Sequence, residues 1–282
     1  EIDHPVAGKI RYPGAHFVNE ERWWRIRRPA PLLGQHNDEI ETEFISNQTR
    51  TLPPSNSNAQ SFTVHQGGTK LPLEGLRVLD ITVAWAGPYS TMFLGDMGAE
   101  VIRVESLNVF PTYTRGFFAR PNPEAEARAP NSFYPERDPG DRPWNRMAIF
   151  NMHARNKHSI TIDLTTDEGK DIFRRLVEVS DVFIENNVSG SMKRLGLTYD
   201  TLSGWNPRLI MISAAGVGQT GPWSSYRGFG IAFEALYGHA SVIGYPDMDP
   251  EGIPASVASD ASTGVTIASA TVMALHQRER TG

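Results

Sequence analysis

The 282-residue chain contains no cysteine, which excludes disulfides, thiolate metal sites and cysteine nucleophiles. It has no excess of positive charge. Lys and Arg number 27 against 32 Asp and Glu, a net charge of −5, which argues against a broad nucleic-acid-binding face. A long hydrophobic run is missing too. The most apolar stretch, Val265 to Leu275, is broken by Thr and Ser and is too short to cross a bilayer, so no membrane partner is expected. The eight histidines include no H-x-x-x-H or similar ligand spacing; no metal site is expected, and HNDEIE (36–41) reads as a polar helix end. The N-terminus, EIDHPVAGKIRYPG, lacks the basic-then-apolar pattern of a secretory signal and an initial Met. The expectation is a cytoplasmic chain that is a piece of a longer one.

What is present is patterned. The polar, Pro-containing stretch NQTRTLPPSNSNAQS shows no period and reads as part of a linker, 48–72. After it, β-branched runs alternate with helical patterns: RVLDITVA (77–84), EVIRVE (100–105), SITIDL (159–164), DVFIEN (181–186) and RLIMISA (208–214) as strands, with helices between them. TTDEGKDIFRRLVEVS carries an N-cap Thr, acidic residues in its first turn and one apolar face (Ile172, Phe173, Leu176, Val177). Such alternation predicts an α/β fold with a doubly wound, Rossmann-like parallel sheet. Residues 106–150 interrupt it with a long excursion rich in Arg, Pro and aromatics. GVGQTG (216–221) satisfies G-x-G-x-x-G, but Pro222 and Trp223 follow where a helix must open. It is read as a turn, and no nicotinamide cofactor is expected.

One carboxylate stands apart. In ASVASDASTGVTIASATVMAL (255–275), Asp260 is the lone charge, at the start of a helical apolar pattern. It can cap that helix, a role worth about 1 kcal/mol. Alternatively, the helix N-terminus keeps it ionised, and small neighbours leave it open to attack an electrophile. Spacing does not separate these.

The wider constellation does. LEGLRVLDITVAWAGPYSTMFLGDMGAEVIRVE (73–105) resembles the opening of the class III CoA-transferases. The resemblance continues through NKHSITIDLTTDEGKDIFRRLVEVSDVFIEN (156–186), GSMKRLGLTYDTLSGWNPRLIMISAAGVGQTGP (190–222), SDASTG (259–264) and LHQRERTG (275–282). It implies the large domain of an interlocked CoA-transferase fold, coenzyme A or acyl-CoA as substrate and a small carboxylate acceptor. It also implies that Asp260 is the nucleophile, passing through a mixed anhydride and an aspartyl-CoA thioester. By position it assigns coenzyme A contacts to Ala84, Trp85, Ala86, Ile162, Thr165, Asn186, Asn187 and Arg194. Each has a plainer reading: Ile162 as strand core, Arg194 as a solvated helix charge, Asn186 as a turn former.

The chain departs from the family pattern in three places. Gly230 stands where many members carry an acidic residue near the substrate, Ser106 where a basic residue is common, and Asn187 where an aromatic is common. The 106–150 excursion, with Arg115, Phe117, Phe118, Arg120 and Trp144, is a candidate for acceptor selection or a structural element packed on the domain. WRIRRPAPLLGQHNDEIETE (24–43) is similar to the family's C-terminal signature. The expected organisation is therefore the tail of a preceding unit (1–47), a linker (48–72) and the coenzyme A-binding half of a second unit (73–282), its small domain absent. The expected partner is a second unit, fused in the same polypeptide or in a homodimer. The alternative function is a non-catalytic, CoA-binding or structural half of such a pair.

Overall fold

A computed structural model describes residues 1–14, 17–46, 70–249 and 258–282. The expected linker lies outside the described residues apart from 70–72. A short antiparallel hairpin, β1 (Ile2–His4) and β2 (Gly8–Ile10), opens the chain, and α1 (Asn37–Ile40) runs on into a π-helical stretch (Glu41–Ser46). Five strands follow: β3 (Arg77–Asp80), β4 (Glu100–Glu105), β5 (Lys157–Thr161), β6 (Val182–Glu185) and β7 (Ile210–Ser213). They pair in the order β5-β4-β3-β6-β7, all parallel. This is the doubly wound α/β sheet that the alternating pattern predicts.

Both faces are covered, and the strands send apolar residues to each. Val78, Val101, Val182 and Ile184 pack against Leu94 of α2 (Ala86–Asp96) and against Ile267, Ala268 and Leu275 of α9 (Ala258–Thr281). On the opposite face Leu79, Ile102 and Phe183 meet Phe173, Leu176 and Val177 of α5 (Asp167–Glu178). The N-cap Thr166 accepts the Gly169 N–H at 3.0 Å, as its sequence predicts. Helices α6 (Ser191–Leu195) and α7 (Tyr199–Trp205) complete that layer with Met192 and Leu202. Within the 106–150 excursion lie α3 (Pro123–Arg128) and the first half of α4 (Ala148–His153), and α8 (Gly230–Leu236) precedes α9.

The order in which strands are added reverses at β3: β4 and β5 extend the sheet one way, β6 and β7 the other. The loops leaving β3 and β6 therefore diverge and open a crevice at the C-terminal ends of the strands. The segment around residues 25–37 covers the outer edge of β5. Gly34 donates to Ser159 Oγ (3.0 Å), His36 exchanges bonds with Ser159 (3.0 Å each way), and Asn37 bonds Thr161 by both its side-chain groups. An edge so occupied offers no template for further pairing.

A chain of buried charges lies beneath the crevice. The Lys157 ammonium donates to Asp80 (2.9 Å), Thr91 Oγ1 (2.7 Å) and the Pro88 carbonyl (3.0 Å). Arg103 bridges Asp80 and Glu105 and donates to the Thr82 carbonyl. Arg115, from the excursion, holds Glu105 through two 2.6 Å bonds. Asp80 also accepts from Thr82 N–H and Oγ1, which turns the chain and ends β3 at Asp80 rather than at the expected residue 84. Burial pushes Asp80 and Glu105 up, but the surrounding cations outweigh it and hold each at about 2.

Two outcomes are expected. Replacing Lys157 by Met removes the nearer of the two cations on buried Asp80 and leaves Arg103 alone to hold its charge, lowering the unfolding free energy in urea by about 3 kcal/mol, the low end for breaking a buried pair. In the wild type, depressed carboxylate pKa values mean that the unfolded chain binds protons first. Stability is therefore full above the ordinary carboxylate range and falls as pH drops toward about 2. Urea midpoints across that range test the sign.

Candidate active site

The loop from β3 to α2 is held from three sides. Val83 donates its N–H to Asn186 Oδ1 (2.7 Å), and Asn186 returns a bond to the Val83 carbonyl (3.0 Å). Asn187 reaches the Ile81 carbonyl. The Ala84 N–H donates to Thr114 Oγ1 at 2.7 Å, which supports Ala84 in a left-handed conformation (φ 60°) that a non-glycine residue seldom adopts. Gly87 then packs bare backbone against Thr82 and Asn186; a Cβ there would sit 2.7 Å from Thr82 Cγ2 and 2.8 Å from Asn186 Cγ.

Asp260 meets this loop from the other side of the crevice. Helix α9 begins at Ala258, so Asp260 lies inside its first turn and is not its N-cap. Its carboxylate accepts the N–H of Ala86, the first residue of α2. The acid thus serves the N-terminus of a neighbouring helix, a favourable place for negative charge. Two glycines make this possible. A Cβ on Gly264 would stand 2.9 Å from the Ala86 carbonyl and 2.8 Å from the Tyr89 ring, and a Cβ on Gly230 would collide with Asp260 Oδ2. Gly230, where the resemblance leads one to expect an acid, has no room for a side chain.

An acid stands one helical turn further on instead. Glu234 of α8 is buried, accepts the Ser259 N–H at 2.6 Å and contacts His239 Nδ1. Burial pushes the Asp260 carboxyl above its ordinary value; the Ala86 N–H opposes this, and the Glu234 charge adds to the rise. Glu234 itself is held low, chiefly by His239 and also by the Ser259 N–H. Two carboxylates in one site are thereby driven apart in basicity, the arrangement that separates a reacting group from a supporting one. Sequence reading missed Glu234. The signal was its i, i+4 spacing from Gly230 in FGIAFEAL, which places both on one helix face.

The carboxylate opens into a cavity of about 750 Å³ lined by Val83, Ala84, Ala86, Asn186, Asn187, Phe229, Tyr237 and Thr263 among others, a size suited to a small-molecule ligand. Five of the nine site residues expected from sequence therefore come together: Asp260, Ala84, Ala86, Asn186 and Asn187. Arg194 is exposed on α6 and bonds Ser191 Oγ (2.9 Å), which lines the cavity. The other three lie elsewhere. Trp85 turns its ring toward buried His153 (centroids 5.7 Å apart), which burial first, and then Lys157 and Arg155, push down to about 3. Ile162 is part of the apolar core. Thr165 bonds Asp163 in the turn before α5.

The excursion also resolves into parts. Arg115 is buried in its ion pair and has no freedom to meet an acceptor, and the Trp144 carbonyl is one of its partners. Phe117 packs on Tyr113 and Phe133, while Phe118 and Arg120 are exposed. Its reach to the cavity comes through Thr114 and through Tyr113, whose ring lies 4.4 Å from that of Phe229. GVGQTG is a turn: Gly218 and Gly221 have positive φ, Gly216 lies bare under the Phe233 ring, and no helix opens until Gly230. Among the described residues no cluster is arranged to hold a metal ion, and no helix is long and apolar enough to cross a membrane.

Comparison with known proteins gives a consistent result. The sequence model of CoA-transferase family III matches residues 73–282. Succinyl-CoA–D-citramalate CoA-transferase of Chloroflexus aurantiacus is 37% identical over 212 residues, 75% of this chain and 47% of that protein. Formyl-CoA:oxalate CoA-transferase of Streptomyces coelicolor is 33% identical over 214 residues, 76% of this chain and 46% of that protein. A crystal structure of a CaiB/BaiF family protein from Brucella suis superposes with a TM-score of 0.61 at 35% identity, covering 76% of this chain and 51% of the other. The chain thus spans about half the length of the relatives it matches.

The tight α2–α9 approach is testable. Gly264→Val must push the two helices apart. Overpacking of this kind costs about 1–3 kcal/mol, and it withdraws the Ala86 N–H from Asp260. Because that N–H favours the ionised form, Asp260 in the variant titrates higher than in the wild type, read by ¹³C NMR of labelled aspartate carboxyls.

Proposed function

The chain belongs to CoA-transferase family III, and on that premise we propose that it performs acyl-CoA:carboxylate CoA transfer with Asp260 as covalent nucleophile. The observation that carries this reading is the Asp260 carboxylate itself, raised in basicity by burial and facing a cavity walled by the β3 and β6 loops. A more basic carboxylate is a better nucleophile, and covalent capture divides one difficult exchange into easier steps.

Each step balances. An Asp260 oxygen attacks the thioester carbonyl of the donor; the C–S bond breaks, CoA leaves as thiolate, and a mixed anhydride remains on Asp260. The thiolate attacks the aspartyl carbonyl, releasing the donor acid and leaving CoA on Asp260 as a thioester. The acceptor carboxylate displaces that thiolate to form a second anhydride. The thiolate then attacks the acceptor's acyl carbon, giving the new acyl-CoA and free Asp260. Each tetrahedral intermediate needs donors fixed where its oxyanion develops. Gly87 and Gly230 supply the close backbone packing that sets Asp260 against the β3 loop, where such donors would have to stand.

The coenzyme would enter along the strand ends. Asn186 and Asn187 fix the wall beside the pantetheine arm, and Arg194, tied to Ser191 at the rim, is suited to a phosphate. The acids exchanged by the relatives are small, and a small carboxylate is the acceptor class proposed here.

Intact-mass spectrometry of the full chain with a panel of acyl-CoAs tests the proposal. A CoA adduct is expected, mapping to Asp260 and absent from Asp260→Asn. A folded protein that binds CoA yet forms no adduct with any donor would instead be a binding or structural half.

A further inference from the structure

The proposed nucleophile is located by a second helix as well as by its own. Three ties join α8 to the first turn of α9. Ser259 donates its N–H to Glu234 (2.6 Å) and its hydroxyl to the Gly230 carbonyl (3.2 Å), and the bare Cα of Gly230 lies directly against Asp260. Gly230 and Glu234 are four residues apart, so one face of α8 makes all three. The Glu234 side chain is 4% exposed, and its second oxygen is taken by His239. The left-handed Gly238 (φ 78°) allows the chain to bring His239 back to it.

We infer that Glu234 is a positioning residue for Asp260: it caps the first turn of α9 from outside, fixes where the nucleophile sits in the cavity, and sets a like charge beside it. This rests on the reading of Asp260 as nucleophile. A part-buried N–H in the first helical turn calls for an acceptor, yet an amide or hydroxyl would satisfy it. A carboxylate in that place adds a field. The other charged groups around Asp260, among the described residues, are few. The first turns of α2 (Ala86–Thr91) contain none, Arg227 lines the cavity from the preceding loop, and His239 faces Glu234.

Glu234→Gln, Glu234→Ala and wild type separate the two roles. Glutamine keeps an oxygen for the Ser259 N–H but loses the charge. Asp260 is then less basic, and the acid limb of adduct formation moves to lower pH. Alanine loses the cap as well, and adduct formation slows about tenfold at every pH, equivalent to one hydrogen bond; glutamine restores most of that rate. The same direction is read without turnover from the Asp260 carboxyl by NMR, which must titrate lower in Glu234→Gln. An unchanged titration and an unchanged acid limb overturn the inference. If wild type forms no adduct but the titration moves, the nucleophile reading fails while the field of Glu234 stands.

Discussion

The fold turns on the buried pairing of Asp80 with Lys157. Both side chains are fully removed from water, and each of the three ammonium protons has an acceptor. An isolated charge in that position would cost several kcal/mol, and Asp80 is the carboxylate that lets the Lys157 ammonium be there. The pair is the first link of a longer chain, since Arg103 joins Asp80 to Glu105, and Glu105 holds Arg115. Well-packed apolar residues can match such networks in stability. What apolar residues lack is direction. Here the direction is used: Asp80 and Arg103 between them hold Thr82 at its N–H, hydroxyl and carbonyl. Thr82 begins the loop on which Ala84, Ala86 and Gly87 are carried.

The same network explains why an excursion of more than forty residues can sit beside a site without being loose. Arg115 lies over the Phe150 ring at 3.8 Å and bonds Asn145 as well as Glu105. Its neighbour Thr114 is consequently in place to accept the Ala84 N–H. Strain at Ala84 persists because the surroundings over-determine it. A charged core thus fixes a backbone, and that backbone offers the Ala86 N–H to Asp260.

Much of the architecture was legible in the sequence. β-Branched runs marked all five strands, and Thr166 with Asp167 and Glu168 marked the start of α5. Asp260 was visible as an isolated carboxylate, but its role was not, because a cap and a nucleophile look alike in spacing. It sits at a helix start, though the N–H it accepts belongs to α2, and no local pattern encodes a partner 174 positions away in the chain. Arg115 was left open for a related reason: an arginine among aromatics reads equally as a ligand contact or as packing, and its burial depends on Glu105 of β4. Ile162 and Thr165 were assigned by position alone, and one is core while the other closes a turn.

Gly230 and Glu234 show how one requirement can be met by a different residue. A carboxylate at 230 would lie in van der Waals overlap with Asp260, and two unshielded like charges at that range cannot both ionise. Shifted by one turn, the charge acts on Asp260 from beyond the Ser259 amide, with an N–H and His239 to stabilise it. Glu234 therefore remains ionised while still opposing the ionisation of Asp260. The vacated Cβ position becomes the space into which Asp260 fits. The absence of a side chain at 230 and the acid at 234 are two halves of one arrangement, and substituting either alone disturbs the same carboxylate.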